Sequence, residues 1–262
     1  MVSINSAIFC FQSNTAWEDP RSNFDKLEGA VKSADPAAES LLVFPELTTA
    51  GFSMDTAKVA EAIDGPSMEF FSNLAASRAC HTIAGVPLRS DGDKITNSAI
   101  CFSPDGSVAG RYDKMRPFPL VGEGTHYTAG TGTTVIDCGG WKVAPFVCYD
   151  LRFPELFRDA VVKGAEVLVV IANWPSRRVE HWMALLRARA IENQAYVVGV
   201  NRCGSDPNFS YPGASIVVDP MGETVVLAGD GPETIRATLN RSLLDDWRKE
   251  FPALADARSC TP

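Results

Sequence analysis

The chain has 262 residues, of which 45% are hydrophobic and 21% charged, as in an ordinary globular protein with a sizeable core. Its net charge of −8, without a basic patch interleaved with aromatic residues, argues against a nucleic-acid-binding protein. No apolar run reaches about 18 residues, so no membrane span is expected. The first residues lack a basic segment, so no signal peptide is expected either.

Short apolar runs alternate with helical patterns along the chain. Strands are predicted at Ser6–Phe11, Leu41–Phe44, Thr82–Val86, Asn97–Phe102, Lys142–Val147, Glu166–Ile171, Tyr196–Val200 and Ser215–Val218. Helices are predicted near Asn23–Ser33, Met68–Ala79, Pro154–Val162 and Val179–Asn193. Interleaved strands and helices indicate an α/β fold. No repeat or low-complexity linker divides the chain, so a single domain over residues 1–262 is expected, with a C-terminal tail from about residue 251.

The cysteines are odd in number and scattered, and none form CxxC pairs. They are Cys10, Cys80, Cys101, Cys138, Cys148, Cys203 and Cys260. This pattern predicts neither a disulfide framework nor a zinc site, and it fits a reducing cytoplasm. No motif for a metal or an organic cofactor is seen, so none is expected.

Three segments share one design, in which an apolar strand ends at a chemically useful side chain. In SLLVFPELTTAGF, Glu46 follows the predicted strand Leu41–Phe44. In GRYDKMRPFP, Lys114 follows a strand-like stretch, and in VAPFVCYDLRFPE, Cys148 ends a buried strand just before a helix. Each has an ordinary alternative: a carboxylate exposed to water, a surface lysine and a buried cysteine that only packs.

A nucleophilic cysteine needs a base, because a free thiol has a pKa of about 8.5 and is mostly protonated near pH 7. Of the three histidines, only His126, in a Gly-rich loop, is a plausible partner for Cys148. The papain-type signature around the cysteine is missing. A carboxylate is therefore the alternative base.

Together, in chain order, these segments resemble the nitrilase superfamily of carbon–nitrogen hydrolases, which use a Glu-Lys-Cys triad. The matching motifs are FPELTTAGF, YDKMRPFP and CYDLRFPE, followed by IANWPSRRVEHW and LRARAIENQAYVVGVNRCG. The resemblance runs from the first strand to about Arg241 and is greatest to the omega-amidase-like branch. It implies an αββα sandwich of two sheets flanked by helices. It also implies a homodimer, or a larger homo-oligomer, formed through the helix after the cysteine and the helix Val179–Asn193.

The resemblance further implies a role for each residue of the triad. Glu46 would be the general base and Cys148 the nucleophile, and Lys114 with the backbone N–H of Tyr149 would hold the oxyanion. A thioester would form and be hydrolysed by water. The loop LVGEGTHYTAG resembles the segment that carries a second glutamate, here Glu123, although Gly124 stands where relatives commonly have histidine. An ordinary solvated loop carboxylate is the alternative for Glu123.

Two pocket residues are expected from the motif ANWP, which ends the apolar strand before it. Strand ends form the rim of the site in an open α/β sheet, so Asn173 is a candidate to hydrogen-bond substrate and Trp174 to wall the pocket. A turn or helix-start role for Asn173 and simple packing for Trp174 fit equally well. Asp150 and Arg152 are interpreted as local ion-pair or interface residues that shape the turn after the nucleophile, rather than as chemistry.

The function predicted in this way is an amidase acting on a small linear amide, with no nucleic-acid or membrane partner. The resemblance favours monoamides of dicarboxylic acids, such as 2-oxoglutaramate or succinamate, cleaved to carboxylate and ammonia. A nitrilase or an N-carbamoyl amine hydrolase would use the same triad with a different pocket. A non-catalytic binding protein of the same fold is a third possibility.

Overall fold

The computed structural model describes residues 6–90, 92 and 94–257, and two six-stranded mixed sheets dominate it. The first sheet has the order β14-β1-β2-β3-β4-β5 and the second has the order β13-β12-β9-β8-β7-β6. The strands of the first are β1 (Ser6–Gln12), β2 (Leu41–Val43), β3 (His81–Arg89), β4 (Ile95–Phe102), β5 (Val108–Asp113) and β14 (Glu233–Leu239). Those of the second are β6 (Ile136–Cys138), β7 (Trp141–Val147), β8 (Val167–Ala172), β9 (Tyr196–Asn201), β12 (Ile216–Val218) and β13 (Thr224–Leu227). A separate hairpin pairs β10 (Cys203–Ser205) with β11 (Ser210–Pro212).

Side-chain alternation along the strands divides the interior into layers. On β1, Ile8 and Cys10 belong to the core between the two sheets, whereas Phe9 and Phe11 belong to a separate core under helices. Successive residues of a strand point to opposite faces, so a strand buried on both sides reads as a continuous apolar run. This explains why the sheet strands stand out in the sequence.

Helices cover the outer face of each sheet. They are α1 (Pro20–Ala34), α2 (Thr56–Val59), α3 (Pro66–Arg78), α4 (Pro154–Val162), α5 (Val179–Asn193) and α6 (Arg241–Glu250). Residues of α1 and α3 pack on the first sheet, and residues of α4 and α5 pack on the second. The predicted αββα sandwich is confirmed.

All predicted strands and helices are present, with α4 and α5 at the predicted bounds. The sequence reading missed α2, α6 and several strands. Those strands are β6, β10, β11, β13 and β14, which are short or only half-buried. The predicted tail begins where α6 ends, and residues 258–262, with Cys260, lie outside the described residues. In the described part of the chain, no helix is long and apolar enough to cross a bilayer.

Candidate active site

The predicted site residues come together at one end of the sandwich, where loops from both sheets meet. Glu46 follows β2 and Lys114 follows β5, so both are supplied by the first sheet. Cys148 follows β7 and Asn173 follows β8, so both are supplied by the second sheet. The structure thus brings together residues that are far apart in the sequence.

Glu46 is held inside the protein because its backbone packs directly on β3. At Gly85 of β3, an added Cβ would lie 2.6 Å from the Cα of Glu46 and 2.4 Å from the backbone nitrogen of Leu47. Only glycine permits so close an approach. The Glu46 side chain is fully buried, so the alternative interpretation, a carboxylate exposed to water, was wrong.

Lys114 is also buried, with 1% of its surface exposed, and it lies between two carboxylates. Its Nζ donates to Glu46 Oε1 at 2.8 Å and to Glu123 Oε1 and Oε2 at 3.0 and 2.9 Å. Burial alone would lower the pKa of Lys114, but the charges of Glu123 and Glu46 outweigh it and raise the pKa well above its ordinary value. The ammonium therefore remains charged.

Asn97 of β4 was not identified from the sequence, yet it links these groups. Its Nδ2 donates to Glu46 Oε1 at 2.7 Å and to Glu123 Oε1 at 3.0 Å, and its backbone oxygen accepts from the Lys114 N–H at 2.9 Å. Both amide hydrogens thus point at carboxylate oxygens. The only hint in the sequence is the polar run Thr96–Ser98 within an otherwise apolar strand.

Glu123 is fully buried rather than solvated. Besides Lys114 and Asn97, it accepts from the Phe118 N–H at 2.5 Å, which ties the loop after β5 to the site. Tyr127 of the same loop is buried and donates to the backbone oxygen of Ser53 at 2.8 Å. His126, by contrast, is exposed.

Cys148 begins a 3₁₀ turn, Cys148–Arg152, with a left-handed backbone at φ 49°. This conformation is uncommon for a residue other than glycine, and strain of this kind costs about 1–3 kcal/mol and clusters at functional sites. Burial, then the charge of Glu46, raises the pKa of the thiol well above its ordinary value, and Lys114 opposes the rise only in part. The resting cysteine is therefore a neutral thiol.

Asp150 fixes this turn from behind, in agreement with the shaping role predicted for it. Its carboxylate accepts from the Val147 N–H at 3.1 Å, the Arg116 N–H at 2.9 Å and the Tyr112 hydroxyl at 2.8 Å. Burial raises the pKa of Asp150 to about 7, although Lys114 and the three donors act against the rise. This one side chain joins the nucleophile turn to the strand and loop around Lys114.

Asn173 contacts Glu46, which the sequence did not indicate. Its backbone N–H donates to Glu46 Oε2 at 2.8 Å, and its Nδ2 donates to the Glu46 backbone oxygen at 2.9 Å and to Oε2 at 3.2 Å. Trp174 is 2% exposed, and its ring lines the pocket beside Cys148 while Nε1 donates to the Arg178 backbone oxygen at 2.7 Å. Tyr149 lines the same pocket.

This pocket has aromatic walls and two guanidinium groups. Its lining includes Phe52, Phe118, Tyr149, Arg152, Trp174, Arg178 and Phe209. Arg152 therefore faces the pocket as well as shaping the turn, so its prediction was incomplete. Burial, together with the nearby Arg177 and Arg152, lowers the pKa of Arg178. The positive charges are thus crowded at the pocket wall.

The model of one protein family, described as carbon-nitrogen hydrolase, matches residues 8–249 of this chain. The chain belongs to the carbon-nitrogen hydrolase family. The predicted membership of the nitrilase superfamily is confirmed, and this protein is a hydrolase of carbon–nitrogen bonds.

Proteins of similar sequence and a protein of similar structure both support the family. The omega-amidase YafV of Escherichia coli K12 is 38% identical over 95% of this hydrolase and 96% of the relative. The 2-oxoglutaramate amidase of Bacillus subtilis is 32% identical over 96% and 97%. The structure of XC1258 from Xanthomonas campestris, a CN-hydrolase superfamily protein with an arsenic adduct in the active site, has 34% identity and a TM-score of 0.93, with 99% of each chain covered. These relatives place the hydrolase in the omega-amidase-like branch.

Metal ligands were not expected from the sequence. Over the described ranges, no group of three or more His, Cys, Asp or Glu side chains is arranged to hold a metal ion. The polar groups around Cys148 include one ammonium, two carboxylates and two carboxamides, besides the two guanidinium groups of the pocket wall. Such a set can move protons and stabilise an oxyanion.

Proposed function

We propose that this carbon-nitrogen hydrolase is an omega-amidase, which cleaves the terminal amide of a dicarboxylic acid monoamide to a carboxylate and ammonia through a cysteine thioester. Candidate substrates are 2-oxoglutaramate and succinamate. The names of the E. coli and B. subtilis relatives support this class of substrate. The observation that carries the proposal is the presence of Arg152 and Arg178 in the pocket of Cys148.

These arginines suit the distal carboxylate of such a substrate. Arg152 stacks on the Trp174 ring at 5.0 Å and contacts His181, and Arg178 stacks on the Phe118 ring at 5.2 Å. Among the described residues, neither forms a salt bridge with an acidic side chain. Guanidinium groups bind carboxylates through paired, charge-assisted hydrogen bonds. A neutral aliphatic amide or nitrile has no carboxylate to bind these guanidinium groups.

The first half of the reaction follows from the protonation of the site. Because the Cys148 thiol is neutral, Glu46 takes its proton as the sulfur attacks the amide carbon. The charge on the amide oxygen is stabilised by Lys114 Nζ and the Tyr149 N–H, and one such donor is typically worth about 2.7–4 kcal/mol. Glu46 then gives the proton to the amide nitrogen and the C–N bond breaks. Ammonia departs, and a thioester on Cys148 remains.

The second half returns the enzyme to its starting state. Glu46 removes a proton from water as the water oxygen attacks the thioester carbon. The C–S bond breaks, the carboxylic acid product forms, and the proton held by Glu46 returns to the sulfur. Besides the substrate and one water molecule, no group outside the chain is needed to balance these steps.

Two further residues support this scheme by position. Glu123 keeps Lys114 charged and fixes its Nζ toward Glu46. Asn173 aims the Glu46 carboxylate, and its Oδ1 is buried without a hydrogen-bond partner among the described residues. Since Asn173 lines the pocket, its Oδ1 is placed to accept a hydrogen bond from the substrate amide nitrogen.

We further propose one domain, a homodimer and a cytoplasmic location. The six described cysteines are free and buried, which suits a reducing compartment. Val162 of α4 and Ile191 of α5 expose 65% and 52% of their surfaces on the pair of helices expected to face a partner.

The test of the activity is ammonia release by wild type and Cys148→Ala from 2-oxoglutaramate, succinamate, glutaramate, butyramide, a nitrile and a carbamoyl amine. Release from the monoamides by wild type only is expected. Release from only the nitrile or only the carbamoyl amine would assign a different activity to the same triad. A folded protein that releases nothing from the panel would contradict the proposal.

Arg152→Met tests the carboxylate contact, with Arg187→Met as the matched control. Arg187 is exposed on α5, donates to the Thr224 hydroxyl and does not line the pocket. We expect Arg152→Met to raise KM for succinamate at least tenfold and to change KM for butyramide little, because a charge-assisted hydrogen bond contributes about 1.5–3 kcal/mol. Equal effects on both amides would show that Arg152 does not bind the carboxylate.

A further inference from the structure

The buried face of α5 carries a charged residue, Arg189. It is 4% exposed, and its guanidinium group lies over the Phe157 ring at 5.2 Å. Its Nη1 donates to Glu192 Oε1 at 2.9 Å, whereas its Nε has no hydrogen-bond partner among the described residues. Burying a guanidinium costs free energy that an apolar side chain at this position would not cost. The remaining contact of the group therefore indicates what the arginine contributes.

That contact joins Arg189 to the turn that begins at Cys148. Its Nη2 donates to the backbone oxygen of Leu151 at 2.7 Å, and the bond is buried. In a 3₁₀ turn, each carbonyl accepts from the N–H three residues further on. For Leu151 that residue is Pro154, which has no N–H. Arg189 thus supplies a donor that the sequence of the turn cannot.

The helix that carries Arg189 is itself held firmly on the second sheet. At Gly199 of β9, an added Cβ would lie 2.5 Å from Leu186 Cδ1 and 2.8 Å from the Trp182 ring. Only glycine permits α5 to lie so close to the strand. Arg189 therefore reaches the turn from a fixed element.

The turn is anchored at both of its ends. Before the turn, the Val147 N–H donates to the Asp150 carboxylate, which also accepts from the Arg116 N–H. Near its last residue, the Leu151 oxygen accepts from Arg189. Cys148 and the N–H of the residue after it lie between these two anchors.

The backbone between the anchors is strained, because Cys148 has a left-handed φ of 49°. Such a conformation persists only where the surrounding structure holds it. The direction of the Tyr149 N–H depends on the peptide group between Cys148 and Tyr149, which can turn between two fixed Cα atoms. If the anchor at Leu151 is lost, this peptide group can turn toward an unstrained conformation, and its N–H then points away from the pocket.

We infer that Arg189 is a positioning residue of the oxyanion site. By holding the Leu151 carbonyl, it keeps the turn in the conformation that aims the Tyr149 N–H at the substrate oxygen. Arg189 does not line the pocket, so it acts through the turn rather than on the substrate. This inference rests on the proposed amidase activity and adds to it a residue of α5.

The experiment compares two reactions of Cys148 in wild type and Arg189→Met. In the first, succinamate is hydrolysed. In the second, iodoacetamide alkylates the sulfur: a C–S bond forms as iodide leaves, the thiol proton is released, and no oxyanion develops. Alkylation therefore reports the nucleophile without its oxyanion donors, and mass spectrometry of the Cys148 peptide gives its rate.

Arg189→Met should lower kcat for succinamate by about 100-fold, because the loss of one oxyanion donor costs about 10²–10³ in kcat. KM should change by less than about threefold, since this donor acts mainly in the transition state. The alkylation rate should fall at least about tenfold less than kcat, since alkylation has no oxyanion to stabilise.

Glu192→Gln is the matched control, because it neutralises the ion-pair partner of Arg189 and leaves the contact with Leu151 in place. Both rates should stay within about threefold of wild type, as expected for a partly exposed ion pair. Arg189→Gln is the second variant, for use if Arg189→Met does not fold. Its amide is too short to reach the Leu151 oxygen, so it should show the same pattern.

Three results would overturn the inference and leave the amidase intact. They are a folded Arg189 variant with the kcat of wild type, an equal fall in kcat and alkylation rate, and a loss in Glu192→Gln as large as in the Arg189 variant. A wild type that releases no ammonia from any monoamide would instead overturn the proposed function.

Discussion

The buried ammonium of Lys114 governs the electrostatics of the site. It is in hydrogen-bond contact with two carboxylates, each fully buried. At an effective dielectric near 20, a pair of charges 4 Å apart interacts by about 4 kcal/mol, so the lysine offsets much of the repulsion between Glu46 and Glu123. Without it, two carboxylates would face each other away from water.

Replacing Lys114 by Met should therefore affect both catalysis and folding. Turnover should fall by about two to three orders of magnitude, as for the loss of one oxyanion donor. Stability should fall by about 3–5 kcal/mol, because the substitution leaves buried charges without their partner. Steady-state kinetics and urea unfolding of the same preparation measure the two effects.

Lys142→Met serves as the comparison, because Lys142 forms a half-exposed salt bridge with Asp137 at 2.9 Å. Such surface pairs contribute about 0–1 kcal/mol, so this variant should resemble wild type in both measurements. If Lys114→Met kept turnover within a few-fold of wild type, its proposed role at the oxyanion would be wrong.

Residues carried by motifs could be predicted, whereas residues that act through three-dimensional contacts could not. Glu46, Lys114 and Cys148 stand at strand ends inside distinctive motifs. Asn97 lies within a strand, and its role depends on two carboxylates contributed by other segments. Similarly, Phe209 borders the pocket only because the hairpin folds toward it.

At the scale of elements, the turn after β7 depends on the buried Asp150. The pKa of Asp150 in the folded protein is about 7, above its ordinary value of 3.8. Between about pH 4 and 7, the folded protein therefore holds a proton that the unfolded chain has released. Stability contributed by this group is present at low pH and declines as the pH rises through this window.

The Asp150→Asn variant lacks the titrating group and so lacks this decline. The unfolding free energy of the variant minus that of wild type should therefore become more positive as the pH is raised from 5 to 7. The slope should approach about 1.4 kcal/mol per pH unit, the linkage limit for one proton. Urea unfolding at half-unit pH steps gives the difference directly. Any constant cost of the lost hydrogen bonds drops out of the slope.

Asp105→Asn provides the control for this slope. Asp105 is exposed, and hydrogen bonds from Ser107 lower its pKa, so it is ionised in both states above pH 5. Its difference from wild type should be flat over the same range. A flat line for Asp150→Asn as well would show that Asp150 is ionised throughout.

Helices α4 and α5 begin and end at the residues that the sequence predicted. The edge strands β13 and β14 were not predicted because they are partly exposed, with charged or polar side chains alternating along them. Helix α6 was not predicted because most of its residues are charged or polar and Leu244 is its one buried residue. Weakly buried elements are fixed by their neighbours rather than by their own pattern.

At the scale of the molecule, α4 and α5 form the surface proposed for dimerisation. The two helices lie side by side, since Arg158 of α4 donates to the backbone oxygen of Glu192 in α5. Ile191 projects from this pair with half of its surface exposed. The predicted oligomer requires this residue to be covered by a second copy.

Ile191→Asp should convert the dimer to a monomer of 28.2 kDa, because it places a charge in an apolar interface. Sedimentation equilibrium at micromolar concentration measures the mass. The control is Val225→Asp on edge strand β13, where the valine is 45% exposed but lies on another element. A wild-type mass of 28.2 kDa, or an Ile191→Asp protein that stays dimeric, would contradict this interface.

The division of the catalytic groups between the two sheets has a consequence for the newly made chain. Glu46 and Lys114 belong to one sheet and Cys148 to the other, and Asn173 hydrogen-bonds across the junction. Before the sheets dock, the cysteine contacts neither Glu46 nor Lys114. Under the proposed mechanism, a chain whose sheets are not docked therefore has a cysteine without a base and without a nearby cation.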